Sequence, residues 1–251
     1  MKNGKRAIVL AGMFILAAAG ISQAIVIHSE NPLPGEVIPA VSDYQTTGAE
    51  MVGMSVTVFF TAAPSETVLW AATGVDSGAA SGVGGDWSLS ESGDTFGNPW
   101  TLIYQGGKGL LSGFRLDGFA APDAAQVGVM FDRTFDGNFG TPDSFRGRDF
   151  EYLGAEPPFD TFVRYESSVA VGAAPAVGDE FRYLNVAFLY LPGFDDEFTT
   201  IPPQPGGLDG DNLRTFSFFQ DTNNPIVPEP FTLVLLAGGA VLTLRRRKAA
   251  Y

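Results

Sequence analysis

With 251 residues, 31 Gly, 17 Pro and only 17% charged residues, the chain has room for one domain of about 200 residues, and its composition favours short strands and many turns over long helices. A formal net charge of -13 argues against a nucleic-acid partner, because phosphate binding needs concentrated positive charge. The absence of Cys removes disulfides, thiolate metal sites and cysteine nucleophiles.

The charge is segregated along the chain. Lys2, Lys5 and Arg6 open it and Arg245, Arg246, Arg247 and Lys248 close it, whereas between Ile25 and Val227 only 8 Lys and Arg stand against 27 Asp and Glu. The cationic start is followed by an apolar run from Ala7 to Ala19 and by Ser22 and Ala24, small residues two apart. That order predicts a signal helix over residues 1–24, with export machinery and signal peptidase as partners and cleavage after Ala24.

From Ile25 to Gly48, Pro32, Pro34 and Pro39 with little periodicity predict an extended arm or edge strand. Met51 to Phe60 alternates Val52, Met54, Val56, Val58 and Phe60 with smaller or polar neighbours, the period of a half-buried strand. Further strands are expected at Thr67 to Ala72, Trp100 to Tyr104, Leu110 to Leu116, Gln126 to Phe131, Thr161 to Glu166, Phe181 to Leu191 and Thr215 to Phe219. Turn-rich clusters such as Gly74 to Gly85 and Ile201 to Gly210 separate them. No sustained helical stripe occurs in this interval, so a mainly β fold follows, a single β-sandwich or jelly-roll-like domain over residues 25–226.

Candidate sites in the acidic middle are few. His28 is the only histidine and precedes any recognisable strand, which leaves a Ser-His-Asp mechanism or a histidine zinc site without its partners. Calcium suits carboxylates and loop carbonyls, with candidate ligands Asp132, Asp136 and Asn138, then Asp195, Asp196 and Glu197, then Asp209, Asp211 and Asn212. None fits a twelve-residue EF-hand loop, and Asp-Gly is an ordinary turn dipeptide. Trp87 and Trp100 flank a Gly- and Ser-rich stretch, where an exposed indole would stack on a sugar and a strand indole would fill the core. Arg146 and Arg148 are expected to pair with nearby acids such as Asp143 or Asp149. No cofactor is expected beyond that calcium.

The last segment, residues 227–251, combines three parts. Pro228 and Pro230 disfavour helix, and Phe231 to Leu244 is uncharged and spans about 21 Å as helix. Arg245, Arg246, Arg247 and Lys248 then anchor at a cytoplasmic face, where snorkelling stems relieve the short span. Val227-Pro228-Glu229-Pro230, the apolar run with Gly238-Gly239, and Arg245-Arg246-Arg247 together resemble the PEP-CTERM sorting signal of exported bacterial proteins. The resemblance implies that an exosortase recognises Pro228-Glu229-Pro230 and removes the tail, so that the chain is a substrate and not a catalyst. It also implies an inner-membrane-anchored precursor, a mature form at the cell surface or outside the cell, and an association with exopolysaccharide or biofilm.

The stretch from Glu50 to Glu151 is similar to a recurring PEP-CTERM ectodomain type, on "MVGMSVTVFF", "VLWAATG", "WSLSESGDTFGNPWTL" and "FGTPDSFRGRDF". That likeness implies export and fold and supplies no active site. The functional expectation is thus an exosortase-processed envelope or matrix protein without catalysis. The alternatives are a glycan- or calcium-binding surface module and a hydrolase built on a carboxylate pair.

Overall fold

The computed structural model describes residues 25–29, 36–38, 41–43, 45–120, 128–133, 147–154, 158–171, 180–189, 207–211 and 213–225. The expected signal and membrane helices lie outside these residues. The first strands are β1 Ile25–Ser29, β2 Glu36–Ile38 and β3 Val41–Asp43, followed by a 3-10 turn at Gly48–Met51. Then come β4 Ser55–Phe60, β5 Glu66–Leu69, β6 Ala71–Ala72, β7 Ser77–Ser81, β8 Trp87–Ser92, β9 Trp100–Tyr104 and β10 Leu111–Asp117. The series closes with β11 Met130–Asp132, β12 Glu151–Tyr152, β13 Asp160–Val171, β14 Glu180–Leu189, β15 Thr215–Phe219 and β16 Asp221–Pro225. The protein is mainly β, and no α-helix occurs among the described residues.

The strands form a ten-stranded and a six-stranded sheet. In the larger sheet β14 is central, antiparallel to β13 on one edge, where Thr161 faces Phe188 and Ser168 faces Phe181. β10 and β11 share its other edge end to end, with Asp117 opposite Tyr183 and Phe131 opposite Phe181. β4 and β5 extend the sheet beyond β10, while β16 and β3 extend it beyond β11. β1 and β2 run parallel to β13 along its outer edge, Ile25 opposite Thr161 and Ile38 opposite Val171. The smaller sheet has the order β12-β15-β9-β8-β7-β6.

Alternation explains which faces meet. In β9, Trp100, Leu102 and Tyr104 are buried while Thr101 and Ile103 are half-buried, as the two-residue period of a strand requires. β8 buries Trp87, Leu89 and Glu91, and β15 buries Phe216 and Phe218. These side chains meet Val56, Val58, Phe114, Leu116, Leu184, Val186 and Phe188 of the larger sheet in one core. Ring contacts join the sheets directly: Phe114 to Phe218 at 5.4 Å, Phe188 to Phe216 at 4.9 Å and Trp70 to Trp100 at 5.4 Å between centroids.

The chain passes from one sheet to the other at single buried residues. Trp70 stands between β5 and β6; its amide donates to Met54 O at 2.8 Å and its indole Nε1 to Gly48 O at 2.7 Å. Gln220 stands between β15 and β16, and its Nε2 donates to Asp132 O, Arg148 O and Asp221 O at 2.9 to 3.2 Å. Its Oε1 accepts from the Tyr165 hydroxyl, and its carbonyl accepts from Trp100 Nε1 at 2.9 Å.

Several sequence expectations shift. The strand expected from Met51 starts only at Ser55, because Gly53 adopts a φ of 107° and Met51 closes the 3-10 turn. The segment Gly74 to Gly85, read as a turn cluster, contains β7. β13 continues past Glu166 to Val171, with Ser167 at a φ of 56° where the sequence reads as a stop. The strand expected from Gln126 starts only at Met130: Gly128 and Val129 are described but lie outside any strand.

Two substitutions test this arrangement by urea denaturation. Phe218→Ala, which removes a ring stacked on Trp100, Phe114 and Phe150, is expected to cost about 3–5 kcal/mol. Gln220→Ala leaves the interior carbonyls and the Tyr165 hydroxyl without that partner and is expected to cost about 3 kcal/mol, with the midpoint lowered and the slope unchanged.

Candidate functional site

The two tryptophans considered for sugar stacking are core residues. Trp87 is 1% exposed and Trp100 fully buried. Each sits on the inward phase of its strand, so neither presents a face to a glycan. The Trp87 Nε1 donates to Glu66 Oε2 at 2.8 Å, bringing β5 of the larger sheet onto the start of β8.

Of the calcium candidates, Asp132, Asp209 and Asp211 are among the described residues. Asp132 is buried at the end of β11, where its Oδ2 accepts from Asn223 Nδ2 at 2.9 Å, and the register aligns it with Glu180 on β14 and Asp221 on β16. Asp209 Oδ1 accepts the amides of Asp211 and Leu213, each at 2.9 Å, so this carboxylate closes its own turn. Asp211 is exposed. Asp136, Asn138, Asp195, Asp196, Glu197 and Asn212 lie outside the described residues, as do Ala24, Val227, Pro228, Glu229, Pro230, Arg146, Arg245, Arg246 and Arg247. Among the described residues no group of three His, Asp or Glu is arranged to hold a metal ion.

His28 lies on β1 and not ahead of every strand; it is exposed and pairs in register with Arg164. Arg148 takes Glu151 at 2.8 Å and donates to Phe96 O, its guanidinium 3.5 Å from the Phe219 ring centre. The expected partner Asp149 instead forms a two-point pair with Arg133 at 2.9 and 3.1 Å. Both residues precede β12 and belong to no strand, so the shared strand face expected for Arg148 is not formed there.

Buried carboxyl groups at Glu91, Glu180 and Asp221 and one three-residue ion cluster are absent from the sequence expectations. Glu91 occupies the third inward position of β8, after Trp87 and Leu89, and neither of its carboxyl oxygens has a hydrogen-bond partner among the described residues. Burial pushes it up to about 8, and the Asp94 carboxylate adds to the shift. The Gly48 amide opposes the shift in part. Asp221 is pushed to about 7, by burial first and Asp94 second, against hydrogen bonds from the Thr95 hydroxyl at 3.1 Å and the Thr222 amide at 2.9 Å.

The ion cluster places Lys108 Nζ between Glu66 Oε1 and Asp86 Oδ2. The two carboxylates hold Lys108 above the usual lysine range, with Asp86 the stronger contributor. The amine also lies 5.0 Å from the centre of the Phe60 ring. Each of the three side chains keeps 19–25% of its surface exposed. Glu66 comes from β5, Asp86 from the turn before β8 and Lys108 from the β9–β10 connection. No linear motif joins them; the sequence signal for Glu91, by contrast, was its place in the alternation of β8.

No protein-family model matches this chain, and it has no match among curated proteins or solved structures. No helix among the described residues is long and apolar enough to cross a membrane.

The raised carboxyl groups predict a pH response. Glu91 and Asp221 bind protons in the folded chain at pH values where the unfolded chain, with pKa values of 4.5 and 3.8, has released them. The folded state therefore holds more protons in that window, and the stability this supplies is present at low pH and lost as pH rises through about 7 and 8. The melting temperature is expected to fall by several degrees between about pH 5 and pH 9, and Glu91→Gln to flatten the profile, as read by calorimetry. A melting temperature that rose across this range would contradict the assignment.

Proposed function

We propose that this chain is an exported cell-envelope or extracellular-matrix protein, sorted and processed by an exosortase and associated without catalysis with exopolysaccharide or biofilm. The observation that carries this reading is the order of three features in the tail: Pro228-Glu229-Pro230, the uncharged stretch from Phe231 to Leu244, and Arg245-Arg246-Arg247. The prolines keep the recognition segment extended, without a competing ladder, where a membrane enzyme can grip it.

The mature part is read as a β-sandwich, in keeping with two sheets whose inner faces share one aromatic core. The cationic start and the small residues before Ile25 support signal cleavage after Ala24, and β1, beginning at Ile25, is then the first element of the mature chain. A glycan- or calcium-binding role has less support, because both tryptophans are in the core and Asp209 is committed to its turn.

The test compares a strain that has the exosortase with one that lacks it, using a chain tagged within the ectodomain. Intact mass from envelope and medium fractions is expected to show loss of the tail only where the enzyme is present, with the new N-terminus at Ile25 in both strains. An intact tail in both strains would overturn the reading.

A further inference from the structure

We propose that Lys108 and Asp86 condense to a side-chain amide within the folded protein, with Glu66 carrying the proton. Lys108 Nζ touches one oxygen of each acid, so the nucleophile, the carboxyl carbon's own oxygen and a base are already assembled.

The two acids differ in a way that assigns their roles. Glu66 is held at both oxygens, Oε1 by Lys108 and Oε2 by the Trp87 indole at 2.8 Å, an environment that fixes its position for taking and returning a proton. Asp86 has Lys108 at Oδ2, while its Oδ1 is buried without a hydrogen-bond partner among the described residues. A carboxylate with one orphaned oxygen is poorly solvated, and conversion to a neutral amide lowers that cost by removing the charge.

The backbone holds the three residues in place. Glu66 is in register with Val58 on β4, the Asp86 carbonyl accepts from the Gln105 amide at 2.6 Å, and the Lys108 amide donates to the Tyr104 hydroxyl at 2.8 Å. Tyr104 in turn donates to Gly109 O at 2.9 Å. Such fixed contact replaces a bimolecular encounter by an intramolecular one, which favours condensation.

The step balances without a co-reactant. The ammonium of Lys108 passes a proton to Glu66, Glu66 gives it to an oxygen of Asp86, and the neutral amine adds to Cγ of the neutral carboxyl group so formed. A second nitrogen proton then moves through Glu66 to that same oxygen, which leaves as water. One C–N bond forms, one C–O bond breaks, one water leaves, and Glu66 ends as it began. Because the two carboxylates favour the ammonium form, the neutral amine is scarce and the reaction slow; it has to happen only once per molecule. In a chain without Cys, the product is a covalent closure between the turn entering β8 and the β9–β10 connection.

The full chain, purified folded and digested with chymotrypsin, tests this. Trp70 separates Glu66 from Asp86, and Trp100 and Tyr104 separate Asp86 from Lys108, so each residue falls in its own peptide. The expected product is a branched peptide joining the Asp86 and Lys108 segments, lighter than their sum by one water. It should be absent from Asp86→Ala and Lys108→Arg. Glu66→Gln, folded by near-ultraviolet circular dichroism, should form it about a hundredfold more slowly. Separate, unmodified Asp86 and Lys108 peptides from the wild-type chain would overturn the proposal. So would an amide from Lys108 to Glu66, or an undiminished rate in Glu66→Gln.

Discussion

A backbone that leaves one sheet for another must hand its polar groups to new partners inside an apolar core, and the fold depends on how Gln220 meets that requirement. Its amide reaches carbonyls at the end of β11, at Arg148 and at the start of β16, while its carbonyls take the Tyr165 hydroxyl and the Trp100 indole. An apolar residue would fill the volume and leave those groups buried and unpaired. The aromatic layer around Phe216 and Phe218 can pack on the larger sheet because this corner fixes where β15 ends.

At Trp70 the same requirement is met with the help of small residues. A Cβ on Gly78 would come within 2.2 Å of the Trp70 Nε1 and 2.1 Å of Gly48 O, and one on Gly48 would come within 2.4 Å of Glu91 O. The 3-10 turn therefore lies flat on β7 and β8, and the close approach that lets the indole reach Gly48 O also seals Glu91 from water. The buried acid is a consequence of the corner's geometry, and its raised proton affinity follows from that seal.

The sequence revealed the parts governed by alternation of large side chains. Trp100–Tyr104 and Thr215–Phe219 have the limits that their patterns suggest, because every second residue is a large apolar group facing the shared core. β7 was illegible: Ser-Gly-Ala-Ala-Ser carries no strand signal, and its small residues are there to admit Gly48 and Trp70. β16, Asp-Thr-Asn-Asn-Pro, reads as a turn, yet its buried side chains include an amide bonded to Asp132 and a carboxyl bonded to Thr95. The Glu66–Lys108–Asp86 cluster depends on three connections meeting in space, which no local window can show. Trp100 lies in a strand that its pattern suggests, whereas no strand is expected at Trp87–Ser92; the serines between the two tryptophans alternate with the inward residues of β8, and Gly93 and Gly97 belong to the connection that follows.

The outer strands give the fold a high contact order. β1 pairs with β13 and β3 pairs with β16, so ladders near the start of the described chain are completed only by residues near its end. Loop-closure entropy must be met before such pairings return any stability, and a nascent chain that has not yet produced β16 has nothing to hold β3. Completion of the larger sheet is thereby deferred until the last described strand is available, while the hairpins from β4 to β10 need only residues 55–117.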